Sequence, residues 1–455
     1  MNLQNLAITT GVVPGVLYVL AAAALAWLVW GRRRHLSRWV PAAAVVAGIL
    51  CILVWLFSEQ IWNLWGSPLP KRVYAYAGIG ILALLLIVPK ILDLRPVPAR
   101  IAVVPAALVV VLASGSLINQ NFDYYPTLGS VFGDPGVKVE SLEQFKSQEG
   151  RDLVPKAKRS DSPTTLANWT PPEGMPNQGT VVSAFIPAPI SHQASSAAFV
   201  YLPPAYLATP RANLPVLVLI HGVPGGTSDW IRNGRIGQFM DDYAASHKGL
   251  APVVVMPDAG GKWASYPPLC MNTRQGQAGT YLSQDVPNWV KATFGAGTHS
   301  RSQWAVGGFS YGGTCAMQLA MNYPGVYPTF IDSSGENQPT IRQGHQVLLQ
   351  QYFGGSAAEF RRQNALDVIK TRKYPFTAGI ITVGTDDQFY GPQGTQVYQG
   401  MKRAGINVQL QDAPGGHAWP AWKYGVENNM DWLMTRLGVA RQAAYPLASS
   451  AAVTG

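Results

Sequence analysis

Several kinds of chemistry are missing from this sequence. Its histidines lie far apart, none sits in a His-Glu-x-x-His pattern, and Cys270 and Cys315 lack paired-ligand spacing, so no metal centre is expected. The glycine-rich "GVPGG" (222–226) lacks the lysine of a nucleotide-phosphate loop, and no cofactor is expected. No basic stripe is interleaved with aromatics, which argues against nucleic acid as a partner. There is no internal repeat. Charge is sparse in the first 118 residues, which hold nine Lys/Arg and two acids.

What fills that region is apolar. Four runs, 12–30, 39–57, 73–88 and 101–118, each approach the roughly 20 residues that cross a bilayer core, the third being the shortest. A cleaved signal peptide would account for one run, not four in series. A buried soluble helical bundle is the alternative. The loops "GRRRHLSR" (31–38) and "PKILDLRPVPAR" (89–100) are basic, so the positive-inside rule assigns them to the cytoplasm. The loop "SEQIWNLWGSPLPKR" (58–72) then lies outside, with Trp62 and Trp65 suited to an interfacial belt. Four spans leave both termini and the large C-terminal part in the periplasm or cell exterior. Apart from Glu59 and Cys51, the runs lack the ionisable groups that mark a transport pathway, which favours an anchor over a channel.

The exported part would hold Cys270 and Cys315, a pair that an oxidising compartment could join; two separate buried thiols are the other reading. Residues 119–180, with "VPKAKRSDSPTTLANWTPPEGMPNQG", read as an extracytoplasmic tether leading away from the bilayer. Residues 438–455 read as a disordered tail. Between them, 181–437 alternates strand and helix patterns. "TVVSAFIPAPI" and "AAFVYLPPAY" look like an antiparallel opening pair. "PVLVLIHG", "APVVVMPD", "QWAVGGFS", "TFIDSSG", "AGIITVGTDD" and "NVQLQDAPGGH" follow as buried strands with helical patterns between most of them. The expected fold is α/β, a mainly parallel sheet flanked by helices.

In that order "VGGFSYGGT" (306–314) places Ser310 between a strand and a helix, the setting of a nucleophile elbow. A serine hydroxyl needs a base. Two histidines follow it, and His417, directly after the last strand, is favoured over His345. Asp387 is the preferred acid because it stands three residues after the glycine ending the preceding strand; Asp386 is the alternative, and Asp332 lies one strand too early. A tetrahedral intermediate also needs N–H donors for its oxyanion. These are expected from Tyr311, just after the serine, and from Val223 in "HGVPGGTSDW" (221–230), a loop that His221 would brace. Trp230, Trp263 and Tyr266 are candidates for lining the substrate pocket, with packing under a loop as the other reading.

Taken together, "VYLPPAY", "LIHGVPGGTSDW", "VVVMPDAGG", "VGGFSYGG", "YFGG", "GTDDQFY" and "GGHAW" resemble the esterase family of α/β-hydrolases. That family includes esterase D-type enzymes, feruloyl-esterase-like proteins and the secreted mycolyltransferases. The resemblance covers residues 180–437 and implies an α/β-hydrolase fold, Ser310, Asp387 and His417 as a triad, and Val223 and Tyr311 as oxyanion donors. "LIHGVPGG" has His-Gly where mycolyltransferases usually carry Asp-Gly, which weakens a transferase assignment. The expected function is a membrane-anchored serine esterase acting on an ester-containing envelope lipid or glycolipid. Acyl transfer, hydrolysis of aminoacyl lipids, and a non-catalytic envelope-binding role are the alternatives.

Overall fold

A computed structural model describes residues 3–62, 64, 67–148, 163–259 and 268–440. Its N-terminal part is a helical bundle: α1 (Val12–Val29), α2 (His35–Ile61), α3 (Lys71–Leu85), α4 (Ile87–Asp93) and α5 (Val97–Phe122). Helices α1, α2 and α5 are each long and apolar enough to cross a membrane. The third expected span is not straight. Helices α3 and α4 meet at a 40° bend, so the pair counts as a span only if taken together. Pro89 supplies the cause, because its ring crowds the carbonyl four residues back and its nitrogen has no hydrogen to donate. Helix α4 also claims residues expected to lie in the cytoplasmic loop.

The bundle interior is mostly small or β-branched side chains, such as Ala83, Val103, Ala107 and Val110, with Leu28 and Leu86 also buried. Large apolar side chains point outward instead, among them Val19, Ile49, Ile52, Leu108 and Leu112. A water-soluble bundle would turn a polar face outward.

The C-terminal part is built on a nine-stranded sheet in the order β1-β2-β3-β5-β4-β8-β9-β10-β11. The strands are β1 (Val139–Ser141), β2 (Thr180–Ala184), β3 (Ala198–Leu202), β4 (Val216–Ile220), β5 (Val253–Met256), β8 (Trp304–Phe309), β9 (Thr329–Ser333), β10 (Ala378–Gly384) and β11 (Asn407–Ala413); β6 (Asn272–Thr273) and β7 (Gly276–Gln277) form a separate small hairpin. Only β3 runs antiparallel to its neighbours, giving the expected opening pair with β2. Strands β4, β5, β8, β9 and β10 are buried along their whole length, as their unbroken apolar runs require. Pairing Ile220 with Gly308, Phe309 with Ser333, and Gly384 with Ala413 brings the C-terminal ends of β4, β8, β9, β10 and β11 to one edge. The fold is that of an α/β-hydrolase.

The expected tether is largely built into this domain. Asp123 ends α5 in a left-handed conformation and pairs with Lys423 at 2.7 Å. The segment then contributes β1, which extends the sheet beside β2. Trp169 packs into the core, its indole donating to the Lys248 carbonyl. Sequence pattern missed β1 because a three-residue strand with one buried side chain has no periodicity to detect. Of the expected tail, Val439 is still core; residues 441–455 lie outside the described residues, as do 149–162 of the tether.

Candidate active site

Strand β8 turns into the helix Tyr311–Asn322 through Ser310, whose φ of 54° is rare for a residue with a side chain. The turn is tight enough to require the flanking glycines. A Cβ on Gly308 would collide with the backbone of Gly312, and one on Gly312 with the carbonyl oxygens of Ile220 and His221. Ser310 N–H donates to the Ser333 carbonyl at 2.8 Å, fixing the elbow to the next strand. The serine is therefore thrust outward at the C-terminal edge, with its helix starting directly beneath the β4 loop.

Two further loops bring partners to it. His417, after β11, lies with Nε2 2.9 Å from Ser310 Oγ and Nδ1 3.1 Å from an oxygen of Asp387. Asp387, after β10, is buried, and its other oxygen accepts N–H bonds from Phe389 at 3.2 Å and Tyr390 at 2.9 Å. A carboxylate held by Nδ1–H leaves Nε2 bare toward the serine, the tautomer a base needs. Asp386 faces elsewhere and pairs with Arg72 at 3.4 Å. His345 starts a separate helix and meets Phe360 instead.

The imidazole is also held by rings. Tyr390 stacks on it, centroids 3.9 Å apart, and Trp422 approaches edge-on at 5.1 Å. Nothing in the sequence marked Tyr390 for this, since its place depends on how the loop after β10 closes over Asp387.

Tyr311 is the first residue of its helix, where a backbone N–H has no intrahelical partner. Its hydroxyl donates to the Ala259 carbonyl at 2.8 Å. One turn on, Cys315 forms a disulfide with Cys270, resolving the two readings of that pair. Val223 lies in the loop after β4, where Gly222 passes against the Phe309 ring of the elbow strand. His221 Nδ1 donates to the Gly222 carbonyl at 2.7 Å, and Nε2 faces Asp258 at 3.7 Å. Burial would raise the Asp258 carboxyl, but bonds from His221 and Ser196 outweigh it and hold it at about 2. His221 braces this loop.

Trp230 does not line a pocket. Its ring is fully buried, edge-on to Phe309 and Trp419, and its indole donates to the Ile220 carbonyl at 3.0 Å. An indole that satisfies its N–H inside an apolar cluster is a packing residue. Trp263 and Tyr266 lie outside the described residues, as does Trp65. Asp332, beneath the elbow, is pushed up to about 7 by burial, with one oxygen bound by Gly335 N–H. Among the described residues, no cluster of three or more His, Cys, Asp or Glu side chains is arranged to hold a metal.

The family model described as "Putative esterase" matches residues 192–427. An uncharacterized protein of Corynebacterium glutamicum is 30% identical over 410 residues, covering 89% of this chain and 91% of its own. The chain belongs to this esterase family. It is a carboxylic ester hydrolase or acyltransferase of the serine hydrolase class. An acetyl esterase of Caldicellulosiruptor saccharolyticus is 21% identical over 235 residues, 49% of this chain and 84% of that one. A solved ferulic acid esterase superposes with a TM-score of 0.48 at 19% identity, covering 57% of this chain and 99% of its own. The Corynebacterium match is long enough to reach into the apolar helices, whereas the acetyl esterase covers about half the chain.

Proposed function

We propose that this esterase is anchored in a membrane by its N-terminal helices, faces away from the cytoplasm, and cleaves carboxylic esters through Ser310, His417 and Asp387. The observation that carries this reading is the continuous hydrogen-bonded line from Ser310 Oγ through the imidazole to the buried Asp387 carboxylate. Ser310 Oγ attacks the ester carbonyl as His417 Nε2 takes its proton. The N–H groups of Tyr311 and Val223 receive the oxyanion, and either donor is worth about 3–4 kcal/mol of transition-state stabilisation. Asp387 keeps the imidazole in its base form and balances the imidazolium charge. The protonated His417 then gives its proton to the leaving alkoxide, leaving an acyl-Ser310 ester. Water, activated by His417, completes hydrolysis; a second alcohol in the same place would give acyl transfer.

The orientation rests on the basic loops 31–38 and 89–100. The Cys270–Cys315 disulfide supports it, because such bonds persist in oxidising compartments. Substrates in this reading are esters of the cell envelope, lipid or glycolipid. With the purified full chain and p-nitrophenyl butyrate, Ser310→Ala should reduce turnover to background while retaining the wild-type thermal unfolding midpoint. Undiminished turnover by that variant would end the proposal.

A further inference from the structure

The esterase domain meets the outer end of the bundle with a particular edge. Arg72, in the first turn of α3, pairs with Asp386 in the loop after β10. Asp123, at the end of α5, pairs with Lys423 in the helix Trp419–Glu427 that follows β11. Asn233 and Arg235, in the loop after β4, donate to the Tyr124 carbonyl at 2.7 Å and the Thr127 hydroxyl at 2.9 Å. These contacts fall on the segments that follow the C-terminal ends of β4, β10 and β11, the edge that carries Val223, Asp387 and His417. Asp386, the partner of Arg72, directly precedes the triad residue Asp387 in sequence.

The loop between α2 and α3 is braced. Glu59 accepts bonds from Leu69 N–H at 2.8 Å, Tyr74 hydroxyl at 2.6 Å and Trp55 indole at 3.1 Å. From this loop Trp62 and Leu64 are exposed, and across from it so is Phe389. Phe389 packs edge-on to the buried Tyr390, which stacks on His417, so the exposed Phe389 ring is one aromatic contact removed from the catalytic imidazole. Exposed aromatics at the ends of membrane helices belong to the interfacial layer. That layer, the difference between a core of about 30 Å and a whole bilayer of about 40–45 Å, is where lipid ester carbonyls lie.

We propose that the described part of this connection, residues 58–62, 64 and 67–72, is a wall of the active site, and that its substrates are ester lipids entering sideways from the adjoining leaflet between this wall and the loop after β10. This rests on the serine esterase reading. The bundle then does more than anchor the enzyme, because it sets the catalytic edge at the depth of the scissile bond.

Two measurements on the full chain in phosphatidylcholine vesicles test it. A nitroxide on Phe389→Cys, in a Cys51→Ser background, should show interfacial depth by power saturation. In turnover assays, Trp62→Ser/Leu64→Ser should lower kcat/KM for vesicle-embedded 4-methylumbelliferyl palmitate at least tenfold more than for soluble 4-methylumbelliferyl acetate. A nitroxide in bulk water, or equal changes for the two esters, or no change for palmitate, would overturn the loading wall. Absence of acetate turnover by the wild-type chain would instead overturn the esterase reading beneath it, whatever the depth.

Discussion

The two halves of this chain solve the burial problem in opposite directions. In the esterase domain, Val218, Leu219, Ile331 and Ile380 are fully buried on both faces of the sheet. In the bundle, Leu108 and Leu112 are 51% and 63% exposed while Ala107 and Ala113 face inward. One rule would account for both in the proposed membrane setting: apolar surface leaves water in the first case and would meet hydrocarbon in the second. Composition alone would not separate a lipid-facing helix from a core helix; which side the large residues take does.

That contrast can be attacked at several strengths. The largest effect should come from the catalytic edge of the esterase domain. His417→Ala and Asp387→Asn should each lower kcat about 10⁴-fold or more with the fold intact. Asp386→Asn should stay within a few-fold of wild type; a loss as deep as that of Asp387→Asn would mean the acid has been misassigned. Next, the same aspartate should fail differently in the two halves. Val218→Asp should unfold the esterase domain, seen as lost near-ultraviolet circular dichroism. Leu112→Asp should leave that domain folded but hinder membrane insertion, at a cost of about 2.5–3.5 kcal/mol near a span centre. Leu112→Asp protein inserted as fully as the wild type would break the comparison.

A smaller effect attaches to the disulfide. Cys270→Ala/Cys315→Ala should lower the stability of the esterase domain by about 2–4 kcal/mol, measured by urea titration of the full chain, without disturbing the helices of the bundle. An effect of the same order is a pH dependence. Asp332 holds its proton up to about pH 7 in the folded domain, whereas the unfolded chain releases it near 4. Wild-type stability from this group therefore falls as pH rises from about 4 to 7 and is level above. Asp332→Asn should raise the thermal midpoint by a few degrees at pH 8 and leave it unchanged at pH 4. A variant destabilised equally at both would show that Asp332 acts by a bond and not by its charge.

The sheet was largely legible because its strands are continuous apolar runs ending in turn residues, and because the β8 run leads straight into Gly-Phe-Ser-Tyr-Gly. The positions of Ser310, Asp387 and His417 followed from strand order, and the structure brings these three together. Other features left no local trace. Trp230 sits in the right loop for a pocket, yet only packing against Phe309 and Trp419 turns its ring inward. The bend at Leu86 depends on Pro89, which hydropathy averages hide. Arg72 and Asp386 are 314 residues apart in sequence, and no pattern within either segment reveals the partner. Long-range charge pairs of this kind turned an expected tether into a docked edge.

Mapping the adduct of a fluorophosphonate on the folded, full-length chain tests the core claim most directly. The modification should fall on the peptide containing residue 310 and disappear when His417 is replaced by alanine. A stable adduct on another serine, or undiminished labelling of the Ser310→Ala variant, would contradict it.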